Sequence, residues 1–303
     1  MSNQQQKTEK QVVAFIGLGT MGREMALNLM KAGFKVVAYD TRASAVDDLT
    51  AHGATGAKSI ADAVIEADVA ITMLPNTPDV EAVIMGTDGI LANPPSGKLV
   101  IDMSTISPEA TREMSTALAS KGVQMLDAPV SGGPIGAVNA KLSIMVGGDD
   151  DAFKRAHPVF AGMGTTIVHV GASGAGQTVK LCNQLIVGIN LQAISEALAL
   201  ARASNLDLDK LREVLLGGSA SSWMLQNLAP QMIARDPSAG FRIDLMFKDL
   251  RLVNELAYAL NTPLPATALV TSQYLEARAH GEGGNGNQAL YRVYDRMTNA
   301  ADQ

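Results

Sequence analysis

From position 12 to about position 171, short apolar runs alternate with longer segments whose apolar residues recur every three or four positions. The runs have strand length and the segments helix length. Such alternation predicts a parallel, doubly wound α/β sheet. Strands are expected at 12–19, 35–40, 68–75, 98–104, 123–130, 141–148 and 165–171, with helices between them. Past Gly176 the texture changes. Residues 177–204 form one long helical stretch that is apolar nearly all round, which calls for burial on most sides. The rest of the chain reads helical, apart from the Gly/Asn-rich GEGGNGN at 281–287, expected to be a mobile loop between two helices. The expected organisation is a disordered polar tail over 1–10, a sheet domain over 11–173 and an all-α domain over 174–303, joined without a flexible linker.

The first strand runs straight into Gly17, Gly19 and Gly22, a G-x-G-x-x-G that opens a helix. In that setting the first glycine permits a tight turn, the second lets a pyrophosphate approach the backbone, and the third lets helix and strand pack closely. Leu18, Thr20 and Met21 complete the turn, whose helix N-terminus offers N–H groups to phosphates. The sheet domain is therefore expected to be a Rossmann-type NAD(P)-binding domain. Asp40 ends the second strand, 23 residues past Gly17, where a carboxylate bonds a ribose 2′-hydroxyl and repels a 2′-phosphate. That favours NAD, and Arg42 leaves NADP open. Leu74, Pro75 and Thr105 follow later strand ends and are candidate contacts for the ribose or nicotinamide.

Candidate chemistry lies further on. Ser131, Gly132 and Gly133 form a turn with one hydroxyl and unshielded N–H groups, suited to a carboxylate. On the long helix, Lys180, Asn183 and Gln184 share one face at i, i+3 and i+4. A polar cluster on an apolar helix needs a polar cleft to face, and Lys180 is the expected proton donor. Lys248, by residue pattern alone, is an ordinary helix lysine paired with Asp244 or Asp249.

Composition narrows the classes. The chain has 303 residues, 47% hydrophobic and 18% charged, with a net charge of −6. That is enough for two cores and lacks the basic face of a nucleic-acid binder. The single cysteine, Cys182, excludes an internal disulfide framework and reads as a small core residue. The four histidines show no metal spacing. The polar start is not a secretory leader, and the apolar stretch at 185–201 is broken by Asn190, Gln192, Ser195 and Glu196, so no membrane span is expected and a cytoplasmic location is.

Together, FIGLGTMG, DMSTISP, DAPVSGGPIGA, GASGAGQTVKLCNQ and FKDL resemble, in order and spacing, the β-hydroxyacid dehydrogenase family, from Val12 to about Met297. The resemblance implies interconversion of a small β-hydroxy acid and its semialdehyde. NQ at 183–184 and GFRIDLMFKDL at 240–250 are similar to the branch that reduces tartronate semialdehyde to glycerate. 3-Hydroxyisobutyrate or another β-hydroxy acid is the alternative substrate. The resemblance makes Lys180 the catalytic lysine, Ser131 with Gly132 and Gly133 the substrate turn, and Asn183, with Gln184 beside it, a substrate contact. It raises Lys248 to a contact at the cofactor and substrate cleft. It also implies a homodimer or homotetramer whose long helix is swapped or packed between subunits. Ala140 departs from the glycine usual there. A catalytically silent dehydrogenase-like module, sensing cofactor or holding an oligomer, is the reading from another class. Lys180 and the Ser-Gly-Gly turn count against it.

Overall fold

A computed structural model describes residues 11–298, so the expected tail at 1–10 lies outside the described residues. The chain divides into two compact units after Lys180.

In the first unit the elements run β1 (Val12–Ile16), α1 (Thr20–Lys31), β2 (Lys35–Tyr39), α2 (Ala43–Ala51), β3 (Thr55–Gly56), α3 (Ile60–Val64), β4 (Val69–Thr72), α4 (Thr77–Met85), β5 (Leu99–Asp102), α5 (Pro108–Ala119), β6 (Gln124–Asp127), β7 (Val130–Ser131), α6 (Gly133–Val138), β8 (Leu142–Gly147), α7 (Asp150–Ala161) and β9 (Gly164–Gly171). The strands form one sheet in the order β3-β2-β1-β4-β5-β6-β8-β7, with β9 against β8. It is parallel from β3 to β6, whereas β8 runs antiparallel to β6 and β7. The expected strand at 123–130 is broken in two, because Ala128 and Pro129 turn the chain between β6 and β7. Successive side chains alternate between faces. Val13 and Phe15 of β1 join a core with α1 and α7, while Ala14 and Ile16 join a second core with α4 and α5. The chain leaves β1 for β2 on one side and returns at β4 on the other, so the turn after β1 sits at the topological switch point.

The helix α8 (Ala175–Ala203) begins in the first unit and continues into the second. Its length of 29 residues and the mean hydropathy of 1.4 in its most apolar window would suffice to cross a membrane, contrary to the sequence expectation. Core helices share that composition, and α8 buries Gln184, Gln192 and Ser195. Burial on most sides holds only in part, since Ile186 and Leu200 are exposed. The second unit continues with α9 (Leu208–Leu216), α10 (Trp223–Asn227), α11 (Ala229–Ile233), α12 (Ile243–Ala259), α13 (Pro265–Ala279), a 3₁₀ turn (Asn287–Leu290) and α14 (Tyr291–Met297). Its core gathers Leu191 and Leu198 of α8, Met246 and Leu250 of α12, and Tyr274 and Tyr291. The segment 281–287 is anchored, not loose. Buried Glu282 accepts from Arg292 and Arg296, Gly286 N–H donates to Pro237 O at 2.9 Å, and Asn287 N–H donates to Phe241 O at 2.7 Å.

Candidate active site

The three glycines of the turn after β1 stand in different steric surroundings. Gly17 has φ +97°, and a Cβ there would collide with the Met73 carbonyl oxygen. Gly19 caps α1 with open space around its missing Cβ. A Cβ on Gly22 would run into the Gly17 carbonyl and sit 3.1 Å from the Phe15 ring. Helix geometry leaves the N–H groups of Thr20, Met21 and Gly22 without intrahelical acceptors. No acid occupies the first turn of α1 and no side chain caps it. These residues fit a dinucleotide pyrophosphate.

Leu18 is buried and its N–H donates to Asp40 Oδ2 at 2.8 Å, so Asp40 ties the end of β2 to the glycine turn. The Arg42 backbone N–H and Nε both donate to Asp40 Oδ1, at 2.9 and 3.0 Å. Burial works to raise the Asp40 pKa, but the bonds from Arg42 and Leu18 outweigh it and hold the carboxyl below its ordinary value.

Leu74 packs over Gly17 and donates its N–H to Ser104 Oγ at 2.9 Å, with Pro75 next in the chain. Thr105, half-buried, follows directly. Ser131 pairs with Ser143 across β7 and β8, and Gly132 and Gly133 then take φ +125° and +60°. Only glycine takes both without strain, and around Gly133 the space a Cβ would fill is open.

Polar groups that the sequence patterns did not single out surround the start of α8. Asp102 and Asp127 lie side by side in register at the ends of β5 and β6, both fully buried. Asp127 accepts the N–H of Gly174 at 2.8 Å and of Gln177 at 2.9 Å, capping α8 from outside the helix. Asp102 Oδ1 accepts the Thr72 hydroxyl at 2.8 Å. Burial, reinforced by the neighbouring Asp102 charge, raises the Asp127 pKa to about 6 even against its backbone donors. Lys180 is buried one turn further along α8.

In the second unit Asn183 Nδ2 donates to Gln184 Oε1 at 2.7 Å, and Gln184 Nε2 donates to Asp249 Oδ2 at 2.5 Å. Lys248 Nζ lies 2.8 Å from Asp249 Oδ1, whereas Asp244 pairs with Arg278. Asp249, seen in the sequence only as a possible lysine partner, therefore holds both Gln184 and Lys248. Cys182 is exposed, not a core residue, because position 182 falls on the outer side of α8 between buried Leu181 and Gln184.

A doubly wound sheet with this glycine turn at its switch point defines a dinucleotide-binding domain, and the relatives make the class an NAD(P)-dependent oxidoreductase. Residues 12–171 match the family model described as the NAD binding domain of 6-phosphogluconate dehydrogenase, and residues 174–294 match the one described as NAD-binding of NADP-dependent 3-hydroxyisobutyrate dehydrogenase. The chain belongs to the β-hydroxyacid dehydrogenase family. It is 42% identical to a 3-hydroxyisobutyrate dehydrogenase of Pseudomonas aeruginosa over 93% of this chain and 99% of that one. It is 40% identical to a 2-hydroxy-3-oxopropionate reductase of Escherichia coli over 95% of this chain and 98% of that one. Among solved structures, a 3-hydroxyisobutyrate dehydrogenase of Mycobacterium tuberculosis with L-serine superposes with a TM-score of 0.86 at 36% identity, covering 94% of this chain and 99% of that one.

Proposed function

We propose that the protein reduces tartronate semialdehyde to glycerate, using NADH in preference to NADPH. The observation that carries the proposal is the burial of Lys180 on the α8 face it shares with Asn183 and Gln184. A buried lysine in such polar company is suited to exchange a proton with substrate. Bound NADH supplies the hydride that reduces the aldehyde carbon. Lys180 gives its proton to the carbonyl oxygen, and in the reverse direction takes one from the hydroxyl. Ser131, Gly132 and Gly133 hold the carboxylate through directed hydrogen bonds, which fixes the reacting carbon. Gly17, Leu18, Gly19, Thr20, Met21, Gly22, Asp40, Leu74, Pro75, Thr105 and Lys248 serve the cofactor.

Tartronate semialdehyde carries a hydroxyl where the semialdehyde of 3-hydroxyisobutyrate carries a methyl group. The amides of Asn183 and Gln184 suit the hydroxyl, and polar discrimination of this kind is stronger than steric discrimination by one methyl. In this reading residues 11–173 form the cofactor domain, which also lends the Ser131–Gly133 turn to the substrate, and residues 174–303 form the substrate and assembly domain, which lends Lys248 to the cofactor. We place the enzyme in the cytoplasm, as a homodimer or homotetramer whose contacts would cover Ile186 and Leu200.

The test is a substrate panel followed by nicotinamide absorbance with both cofactors. It contains tartronate semialdehyde, the semialdehyde of 3-hydroxyisobutyrate, L-serine in the oxidative direction, and glycolaldehyde as a neutral control. Tartronate semialdehyde should give the highest kcat/KM. Losing a charged hydrogen bond worth about 1.5–3 kcal/mol should leave glycolaldehyde roughly 10- to 150-fold behind. A higher kcat/KM for the 3-hydroxyisobutyrate pair or for serine would reassign the substrate. Equal use of glycolaldehyde would remove the carboxylate site.

A further inference from the structure

We propose that Gln177 is a positioning residue that locks the backbone on both sides of Thr105 to the helix turn carrying Lys180. The inference rests on the proposed roles of Lys180 and Thr105. The Gln177 side chain is completely buried, in the first turn of α8. Its Oε1 accepts the Ile106 N–H at 3.1 Å and its Nε2 donates to the Ser104 carbonyl at 2.9 Å. One amide thus clamps the residues before and after Thr105, as a neighbouring strand would. The same Nε2 lies 3.4 Å from Asp102 Oδ2, and the Gln177 backbone N–H donates to Asp127 Oδ2. Four partners therefore fix this one residue from β5, β6 and the loop after β5.

An apolar side chain would fill the same space. Burying an amide is costly unless its hydrogen bonds are met, so the arrangement points to placement of the Thr105 backbone. The turn has no slack elsewhere. A Cβ on Gly176 would strike the Asp127 and Met145 carbonyls and come 2.8 Å from Asp127 Oδ2, and one on Gly147 would come 2.6 Å from Asp127 Oδ1. Lys180 lies three residues past Gln177, about 4.5 Å along the axis and on the same side of the helix. The clamp therefore sets the spacing between the loop assigned to the nicotinamide and the lysine assigned to the proton. Catalysis is sensitive to such spacing, since about 1 Å of misplacement can cost on the order of 100-fold in rate.

The experiment compares Gln177→Met, which keeps volume and removes both side-chain bonds, with wild type in the full-length enzyme. NADH fluorescence titration gives the number of cofactor sites and the Kd. Turnover of tartronate semialdehyde is then expressed per NADH-binding site. We expect Kd within about threefold of wild type and kcat per site lower by about 10- to 100-fold. A role confined to folding would reduce the number of sites and leave kcat per site unchanged, which overturns the proposal. Gln177→Asn, which withdraws the amide by one methylene, is the second variant should the first not fold. If neither gives protein that binds NADH, the role is in folding and the proposal also falls. Lys180→Ala run in parallel separates the two ideas. Loss of turnover there with wild-type kcat in Gln177→Met sinks the clamp alone, and retained turnover in Lys180→Ala sinks both.

Discussion

The carboxylate of Asp40 accepts one N–H from the glycine turn and is bracketed by Arg42, whose side chain is 61% exposed against 9% for Asp40. Asp40 thereby holds the Leu18 backbone and pairs with Arg42, a cation that in the proposed reading would otherwise welcome a 2′-phosphate. Replacing it with serine removes the repulsion and releases Arg42 at once. We expect wild type to favour NADH in kcat/KM, and Asp40→Ser to narrow or reverse the ratio by about 10-fold or more, the scale of a charged hydrogen bond. Equal kcat/KM for both cofactors in wild type would leave Asp40 without this role. Gly17 and Gly22 were legible in the sequence because each answers a backbone demand that no side chain can meet, whereas Gly19, with open space at its missing Cβ, was legible from the spacing alone. Ala140 was legible as a departure, and the structure gives the departure its meaning: it sits at φ +52°, the left-handed region that a glycine enters without penalty. Cys182 was misread because a helix apolar nearly all round was taken to be buried on most sides.

At the scale of the element, the start of α8 is fixed by partners distant in the chain and was poorly legible. Gln177 meets Ser104 and Ile106 across more than 70 residues of chain, and Asp127 meets Gly174 across 47. Periodicity registers neighbours on one helix, as it did for Lys180, Asn183 and Gln184, and is blind to partners fixed by sheet order. The same blindness merged β6 and β7 into one strand and let the antiparallel pairing of β8 go unseen. Asp127 yields a prediction here. In the fold it keeps its proton up to about pH 6, whereas its ordinary value is 3.8. Between those limits the folded state binds more protons than the unfolded one, so this group's contribution to stability is lost as pH rises through the window. A shift of about two units corresponds to on the order of 3 kcal/mol. Asp127→Asn has no such proton. Urea unfolding at a series of pH values should show the variant's stability, relative to wild type, improving by on the order of 3 kcal/mol from about pH 4 to about pH 7. A difference that does not vary with pH would contradict the assignment.

At the scale of the molecule, the two-part organisation was legible because the period of the apolar pattern changes once, near Gly176, from strand runs with spaced helices to helices alone. The compact units part a few residues later, after Lys180. The segment at 281–287 was read as mobile from its glycines, yet Glu282 within it is buried under Arg292 and Arg296, whose charges composition could not connect to it. Two features of the whole chain bear on chemistry: a glycine turn at the switch point of one sheet, and a buried lysine on the helix that follows that sheet. The most direct test of their combination is the turnover of Lys180→Ala with tartronate semialdehyde, alongside NADH binding by fluorescence. A group that transfers the proton contributes about 100- to 10,000-fold, so kcat should fall by that factor while the NADH Kd stays within about threefold of wild type. A variant that keeps more than about a tenth of wild-type kcat would contradict Lys180 as the proton donor.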